Sequence, residues 1–195
     1  MKILRASDYR RMPWKNGGGE TVEIAVFPVG ASIEDFDWRV SMATIASDGA
    51  FSTFPDVDRT LSILSGGGIE LTIEGRRPVS LDLRCEPYPF PADTVAAAKL
   101  LNGETTDLNV MTRRGRFSHR VIKHPTPVSL PASSDLRLVL ATAGHTIAFG
   151  SEKADLGPLD CLVCGAEVTS DLVISGGSAV LVIELNPESG ISPSA

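Results

Sequence analysis

Apolar and polar residues alternate with a period of two along most of the chain. The alternation runs through residues 22–26, 38–42, 61–63, 69–73, 79–83, 108–110, 136–140, 147–149, 162–163 and 179–185. Because successive side chains of a β-strand point to opposite faces, this pattern predicts strands. Residues 94–101 alone have a composition that favours a short helix.

Turns rich in glycine and proline separate the predicted strands. Residues 65–68 (Ser-Gly-Gly-Gly) supply the positive-φ positions of a tight hairpin, and residues 74–78 separate the next pair. Such short connections predict antiparallel neighbours. With 18 Gly and 13 Pro as turn-formers, the economical architecture is an all-β sandwich or barrel that occurs twice.

A stretch rich in Pro and Ser, residues 124–134, is the predicted connection between two halves. The N-terminal half then spans about residues 1–122 and the C-terminal half about residues 123–190. Both halves are expected to form one compact unit over residues 1–195.

Composition and charge narrow the range of partners. The chain has 195 residues, of which 43% are hydrophobic, and its formal net charge is −6. A mildly acidic protein lacks the basic field that nonspecific binding to nucleic acid or an anionic membrane requires. No stretch approaches the roughly 20 apolar residues of a membrane span, and no secretory signal is recognisable. We therefore expect a cytoplasmic protein, and a small molecule as its partner.

A glycine-rich segment at residues 13–21 is the first candidate for function. It lacks the spacing and the following helix of a phosphate-binding loop. One interpretation is a tight turn that enters a strand. The other is a ligand-binding loop. In it Lys15 and Asn16 would offer polar groups to the ligand, Trp14 would offer an apolar surface, and Gly17 would permit close approach of the ligand to the backbone.

Arg59 is the second candidate. It has the same parity as Leu61 and Ile63, so its side chain is predicted to point into the apolar interior, where a charge needs an anionic partner. Glu20, in phase with Val22, is one possible partner. A bound carboxylate is the other, and Glu20 would then orient Lys15.

Metal and nucleic-acid chemistry have weaker support. His119, His124 and His145 stand alone without the spacing of metal ligands, so we expect no metal and no cofactor. Cys161 and Cys164 are expected to be buried, unreactive thiols. The basic run at residues 113–123 could contact RNA, but a solvated hairpin or a subunit contact of a homodimer fits the acidic chain better.

Four motifs together resemble the HutD/Ves family, in matching order and spacing over about residues 1–122. They are Pro-Trp-Lys-Asn-Gly-Gly-Gly at 13–19, Phe-Asp-Trp-Arg-Val-Ser-Met-Ala at 36–43, Phe-Ser-Thr-Phe-Pro at 51–55 with Asp58 and Arg59, and Asp-Leu-Asn-Val-Met-Thr-Arg-Arg-Gly at 107–115. Two positions depart from the family pattern. Ala50 stands where proline is common, and Asp56 stands where glycine is usual.

The resemblance implies a cupin-like double jelly roll, or bicupin, in a bacterial cytosolic protein linked to histidine utilisation. It further implies a small acidic metabolite such as formylglutamate as ligand, and no established catalysis. We expect Arg59 and Lys15 to supply charge, and Asn16 and Asn109 to supply hydrogen bonds. Arg39 is a secondary candidate, because its parity opposes that of its apolar neighbours and predicts an outward side chain.

Two other classes of function stay open from the sequence. The first is a small metal-free isomerase or hydrolase that uses Glu20 or His119 as general base in the same pocket. The second is a protein-binding regulator whose barrels are only structural.

Overall fold

The structure is a computed structural model that describes residues 1–14, 19–165 and 167–188. In these ranges the regular elements are 19 strands and one short 3-10 turn at Ala6–Asp8. The chain forms two units. The N-terminal unit contains Arg10–Ser118 together with Glu188, and the C-terminal unit contains Met1–Tyr9 and His119–Pro187.

The N-terminal unit consists of two antiparallel sheets. Its strands are β2 (Arg10–Pro13), β3 (Gly19–Phe27), β4 (Trp38–Ile45), β5 (Gly49–Ala50), β6 (Val57–Gly66), β7 (Ile69–Ile73), β8 (Val79–Leu81), β9 (Tyr88–Pro91), β10 (Ala96–Leu100) and β11 (Thr105–Arg113). Six strands form one sheet in the order β2-β3-β4-β11-β6-β9, and four form the other in the order β5-β10-β7-β8.

The C-terminal unit repeats this plan. Its strands are β1 (Lys2–Leu4), β12 (Phe117–Pro125), β13 (Val128–Leu130), β14 (Leu136–Ala141), β15 (His145–Phe149), β16 (Glu152–Leu156), β17 (Cys161–Cys164), β18 (Leu172–Ser175) and β19 (Ala179–Pro187). They form a sheet β1-β17-β14-β19-β12 and a sheet β13-β18-β15-β16. A larger and a smaller sheet in each unit is the arrangement of a jelly roll, and it confirms the doubled all-β prediction.

Each unit has its own apolar interior. In the N-terminal unit, side chains from β6, β7 and β10 pack into one cluster that includes Leu61, Ile69 and Leu71. In the C-terminal unit, β14, β15 and β18 contribute to a cluster that includes Val139 and Ile147. The period-two pattern therefore marks the core-facing positions in both units.

Two details differ from the sequence-based expectations. β6 pairs with β11 and β9, whereas β7 pairs with β10 and β8, so the turn between β6 and β7 carries the chain from one sheet to the other. Its glycines Gly66 and Gly68 do have positive φ, at 92° and 85°. The predicted helix at residues 94–101 is wrong, because β10 pairs along its length with β7 and this pairing outweighs the helical propensity of alanine.

The border between the units falls between Ser118 and His119, inside β12, a few residues ahead of the predicted connection at residues 124–134. Strand β13 occupies part of that predicted connection. β1 pairs antiparallel with β17, which places the first residues of the chain in the C-terminal unit. The first nine residues, Met1–Tyr9, therefore belong to the same unit as the second half of the chain.

The cysteines of the C-terminal unit are free and buried. Burial raises the pKa of Cys164 to about 11 and also raises that of Cys161. Both side chains are therefore protonated at neutral pH and unsuited to nucleophilic chemistry. In the described ranges no helix is long and apolar enough to cross a membrane.

Asp56 lies in the turn that leads into β6. Its φ is +57°, which is the left-handed region that glycine adopts most easily, and glycine is usual there in the family that the motifs resemble. Its carbonyl accepts a hydrogen bond of 2.8 Å from the amide of Arg114. This contact helps fix the turn directly ahead of Arg59.

A substitution series at Asp56 tests this reading of the turn. The side chain is exposed, so changes in packing are small. Asp56→Val should lower the free energy of unfolding by about 1–2 kcal/mol, because a branched Cβ is strained at positive φ. Asp56→Gly should change it by less than about 1 kcal/mol. Urea denaturation measures both, and a valine variant as stable as the parent would contradict the assigned conformation.

Candidate functional site

A cavity of about 420 Å³ opens in the N-terminal unit. Strands β3, β4, β6 and β11 contribute to its wall, as does the segment after β5. The lining residues are Trp14, Thr21, Ile33, Arg39, Ser41, Ala43, Ala50, Phe51, Ser52, Phe54, Arg59, Asn109 and Met111. This size suits a small molecule.

The register of three neighbouring strands explains why distant residues meet in the cavity. Met111 of β11 lies opposite Arg39 of β4 on one side and Arg59 of β6 on the other. Two residues along, Asn109 lies opposite Ser41 of β4. Because side chains two residues apart share a face, both rows point into the same interior.

Arg59 is the most unusual residue of this wall. It is only 4% exposed, and its guanidinium carbon lies 5.4, 5.3 and 5.7 Å from the ring centres of Phe51, Phe54 and Phe90. Nη2 also donates a long hydrogen bond of 3.4 Å to the carbonyl of Ser52. The three rings attract the cation through their faces, but they carry no negative charge.

Among the described residues Arg59 has no carboxylate within 4.0 Å, and its Nε has no hydrogen-bond partner. Burial lowers the pKa of Arg59 to about 10; Arg39 acts in the same direction and Asp107 opposes it. The side chain is still protonated at neutral pH. A buried positive charge without an ion pair among the described residues therefore lines the cavity.

The aromatic cage depends on backbone contacts of the segment after β5. The amide of Phe51 donates to the carbonyl of Ala96 and the amide of Phe54 donates to that of Ala92, both at 2.9 Å. Phe90 lies opposite Arg59 in the pairing of β9 with β6. Two separate parts of the chain, the segment after β5 and strand β9, thus bring three rings to one guanidinium.

Arg39 is also buried, but it has an acidic partner. Its Nε donates to a carboxylate oxygen of Glu23 at 2.8 Å, and Nη1 donates to Ser41 at 3.3 Å. The expectation that Arg39 points outward is wrong. Trp38 and Val40 are buried as well, so both faces of β4 are covered and alternation alone could not show which face lines the cavity.

Glu20 lies away from the cavity. Its carboxylate accepts a hydrogen bond of 2.7 Å from Arg11 in a partly exposed pair, so the alternative of a Glu20–Arg59 pair is wrong. Glu20 alternates with Thr21, and it is Thr21 that lines the cavity. Neither Glu20 nor His119, the two bases considered for catalysis, is a lining residue.

The glycine-rich segment is described only at its two ends. Trp14 lines the cavity, and its indole Nε1 donates to the hydroxyl of Thr21 at 2.8 Å. A Cβ at Gly19 would overlap the carbonyl oxygen of Thr44 on β4, so glycine is needed there for close strand approach. Lys15, Asn16 and Gly17 lie outside the described residues.

Asn109 lines the cavity and contacts a fully buried acid. Its side-chain amide donates to Asp107 at 2.6 Å. Burial raises the pKa of Asp107 to about 7, against the lowering effects of Arg59, Asn109 and the backbone of Ala43. Asp107 was not among the predicted site residues, although its parity with Asn109 would have indicated the same face.

One wall of the cavity comes from a loop that Arg113 holds in place. Ile33 of this loop lines the cavity. Arg113 donates to the carbonyls of Glu34 at 2.7 Å and Phe36 at 3.1 Å, and its guanidinium lies 5.6 Å from the Phe36 ring centre. No periodic pattern in the loop sequence could have predicted this wall.

Two more arginines of the basic run, Arg114 and Arg116, are engaged within the same unit. Arg114 forms ion pairs with Asp58 at 2.8 Å and Asp93 at 2.7 Å, and Arg116 pairs with Asp37 at 3.0 Å. Their charge is neutralised locally, so the RNA interpretation of this run gains no support.

The lining residues do not fit a metal cation. They present two guanidinium groups, and in the described part of the chain no three His, Cys, Asp or Glu side chains come together as ligands. An unpaired guanidinium repels a divalent cation and attracts an anion. The chemistry that this wall offers is anion binding with hydrogen bonds from Ser41 and Asn109.

Solved structures with very low sequence identity to this chain have the same fold. An oxalate decarboxylase of Bacillus subtilis, only 8% identical, superposes with a TM-score of 0.62 over 96% of this chain and 77% of that one. The protein is thus a cupin-like double jelly roll, with an arginine-lined cavity in its N-terminal unit.

The chain belongs to the HutD family, whose family model matches residues 6–182. HutD from Pseudomonas fluorescens SBW25, in a formate condition, is 31% identical with a TM-score of 0.83 and covers 96% of this chain and 99% of that one. A 21.2 kDa protein of the hutC 3′ region in Pseudomonas putida is 36% identical over 166 residues, 83% of this chain and 85% of that one.

Protein Ves of Citrobacter koseri is also similar. It is 44% identical over 119 residues, which are 58% of this chain and 60% of that protein. The resemblance to the HutD/Ves family that the four motifs indicated is confirmed.

Two glutamates of β3 offer a matched test of the electrostatics. Glu23→Gln should lower the free energy of unfolding by about 3 kcal/mol, because it leaves the buried charge of Arg39 unpaired. Glu20→Gln should cost less than about 1 kcal/mol, because its partner Arg11 is exposed. Urea denaturation at low ionic strength measures both, and equal losses would contradict the assigned pairs.

Proposed function

We propose that this protein binds a small carboxylate-bearing metabolite in the cavity of its N-terminal unit and thereby modulates histidine utilisation. The observation that carries the proposal is Arg59, a buried cation that has aromatic neighbours and no ion pair among the described residues. A buried charge of this kind is costly unless it is paired. A ligand carboxylate would supply the missing partner.

The geometry of a guanidinium suits a carboxylate. Its planar fork can donate two parallel hydrogen bonds to the two carboxylate oxygens, and Nε of Arg59 is unused. Arg39 is already paired with Glu23, so the cavity has one strongly uncompensated positive charge. One carboxylate at Arg59, with polar groups of the ligand near Ser41 and Asn109, matches this arrangement.

The family membership suggests formylglutamate as the first ligand to test. The relatives carry names from histidine utilisation, such as HutD and the hutC 3′ region, and formate is the simplest carboxylate. Binding a pathway metabolite would take place in the bacterial cytoplasm, and it requires neither nucleic acid nor a membrane. No catalytic step is part of the proposal, because neither of the candidate bases Glu20 and His119 lines the cavity.

Calorimetric titration with N-formyl-L-glutamate tests the role of Arg59. Arg59→Ala should lose about 2–5 kcal/mol of binding free energy, because one partner of a desolvated charge pair is removed. Arg59→Lys should also bind weakly, since an ammonium cannot form the two parallel hydrogen bonds. The control is Arg84→Ala, which removes an arginine that is exposed and paired with Asp82 outside the cavity. It should bind as the parent protein does.

A thermal-shift screen over formate, formylglutamate and other small acids precedes the titration. Ligand at 100 times its dissociation constant should stabilise the fold by about 2.7 kcal/mol. If no acid stabilises the parent protein, the proposed function is wrong. If Arg59→Ala binds as tightly as the parent but unfolds more readily, Arg59 has only a structural role.

A further inference from the structure

Asp107 is a buried acid beside the cavity for which the proposed function has no use. Its exposure is 0%, and it lies on β11 with the same parity as Asn109 and Met111, which both line the cavity. Oδ1 accepts the hydrogen bond from Asn109, but Oδ2 has no partner among the described residues. A fully buried carboxylate with an unused oxygen needs compensation from elsewhere.

The charged groups around Asp107 leave one candidate for that compensation. Arg39 faces the interior from β4 but is paired with Glu23 of β3. The core residues of β7 and β10 on the facing sheet, such as Ile69 and Ala98, are apolar. In the described part of the chain Arg59 is therefore the cation left to balance Asp107, and each of the two has a polar atom without a hydrogen bond.

These two residues are too far apart to form an ion pair. No contact of 4.0 Å or less joins them, and in the strand register Asp107 lies opposite Ile63 whereas Arg59 lies opposite Met111. Their attraction acts through an apolar interior, where charges interact more strongly than in water. A ligand carboxylate that contacts Arg59 directly would displace this weaker interaction.

We propose that Asp107 is the counter-charge of Arg59 while the cavity is empty, and that a bound carboxylate replaces it, so that Asp107 takes up one proton from solvent when the ligand binds. This inference rests on the proposed function. The proton forms a bond to the carboxylate of Asp107, and it balances the one negative charge that the ligand carboxylate brings to Arg59.

The charges determine how ligand binding changes the protonation of Asp107. Asp107 in the empty protein has a pKa raised to about 7 by burial and held from rising further by Arg59. A ligand carboxylate adds negative charge and neutralises Arg59, so it raises the pKa of Asp107 again. Above pH 7 binding then requires proton uptake, and affinity should fall with rising pH by up to tenfold per unit.

Calorimetry in buffers of different ionisation enthalpy counts the protons. With N-formyl-L-glutamate, whose blocked amine leaves no group that titrates near neutrality, the parent protein should take up almost no proton at pH 6 and up to one at pH 8. Its affinity at pH 8 should be up to tenfold lower than at pH 7. Asp107→Asn keeps the shape of the side chain, and it should abolish both the uptake and the pH dependence.

The matched control is Asp58→Asn, which changes an exposed aspartate that is paired with Arg114. It should take up protons as the parent does. Binding without proton uptake at pH 8, or equal uptake by the Asp107→Asn protein, would overturn this inference and leave the proposed function intact. Failure of the parent protein to bind any carboxylate would overturn both.

Carbon-13 NMR of the aspartate carboxyl groups gives a second readout that needs no ligand and no substitution of Asp107. In the empty parent protein the Asp107 signal should titrate near neutral pH. In the Arg59→Gln protein its midpoint should move to higher pH, in the same direction as saturation with formylglutamate moves it in the parent. An unchanged midpoint in Arg59→Gln would show that the two residues are not coupled.

Discussion

The burial of Arg59 is the constraint on which the rest of the site depends. A guanidinium inside a barrel loses its hydration, and the protein has to offset that loss with neighbouring groups. The chain supplies three aromatic faces from two separate segments and one distant carboxylate, rather than a direct ion pair. Such an environment holds the cation in position while its Nε stays without a hydrogen-bond partner among the described residues.

Arg39 shows that the same barrel can also pair a cation completely. Its partner Glu23 comes from the adjacent strand, and Ser41 satisfies a further donor. The charge of Arg39 helps burial to lower the pKa of Arg59, because like charges face one cavity. The interior therefore has one neutral pair and one charge without an ion pair among the described residues, and the proposed function assigns a single anion to the second charge.

Strand alternation predicted the doubled all-β fold and the inward direction of Arg59, because parity on β6 depends only on local geometry. It failed for Arg39, because β4 is buried on both faces and alternation carries no information there. It also failed for Glu20, whose face of β3 is opposite to that of Thr21. Phe90 joins the site through the pairing of β9 with β6, a long-range contact that no local pattern reveals.

The C-terminal unit has the same arrangement of sheets but a different interior. Its interior is filled by aliphatic side chains such as Val139, Ile147 and Leu172. Its buried Arg137 is paired with Glu184 and also donates to the carbonyl of Pro131. This interior contains packed apolar groups and a paired charge, although Nε of Arg137 and Nε2 of His145 have no hydrogen-bond partner among the described residues. In the N-terminal unit Arg59 has no ion pair among the described residues, and burying an unpaired charge costs stability. The two units therefore share one architecture but differ in how they treat a buried arginine, and this difference is the reason that the proposed ligand site lies in the N-terminal unit.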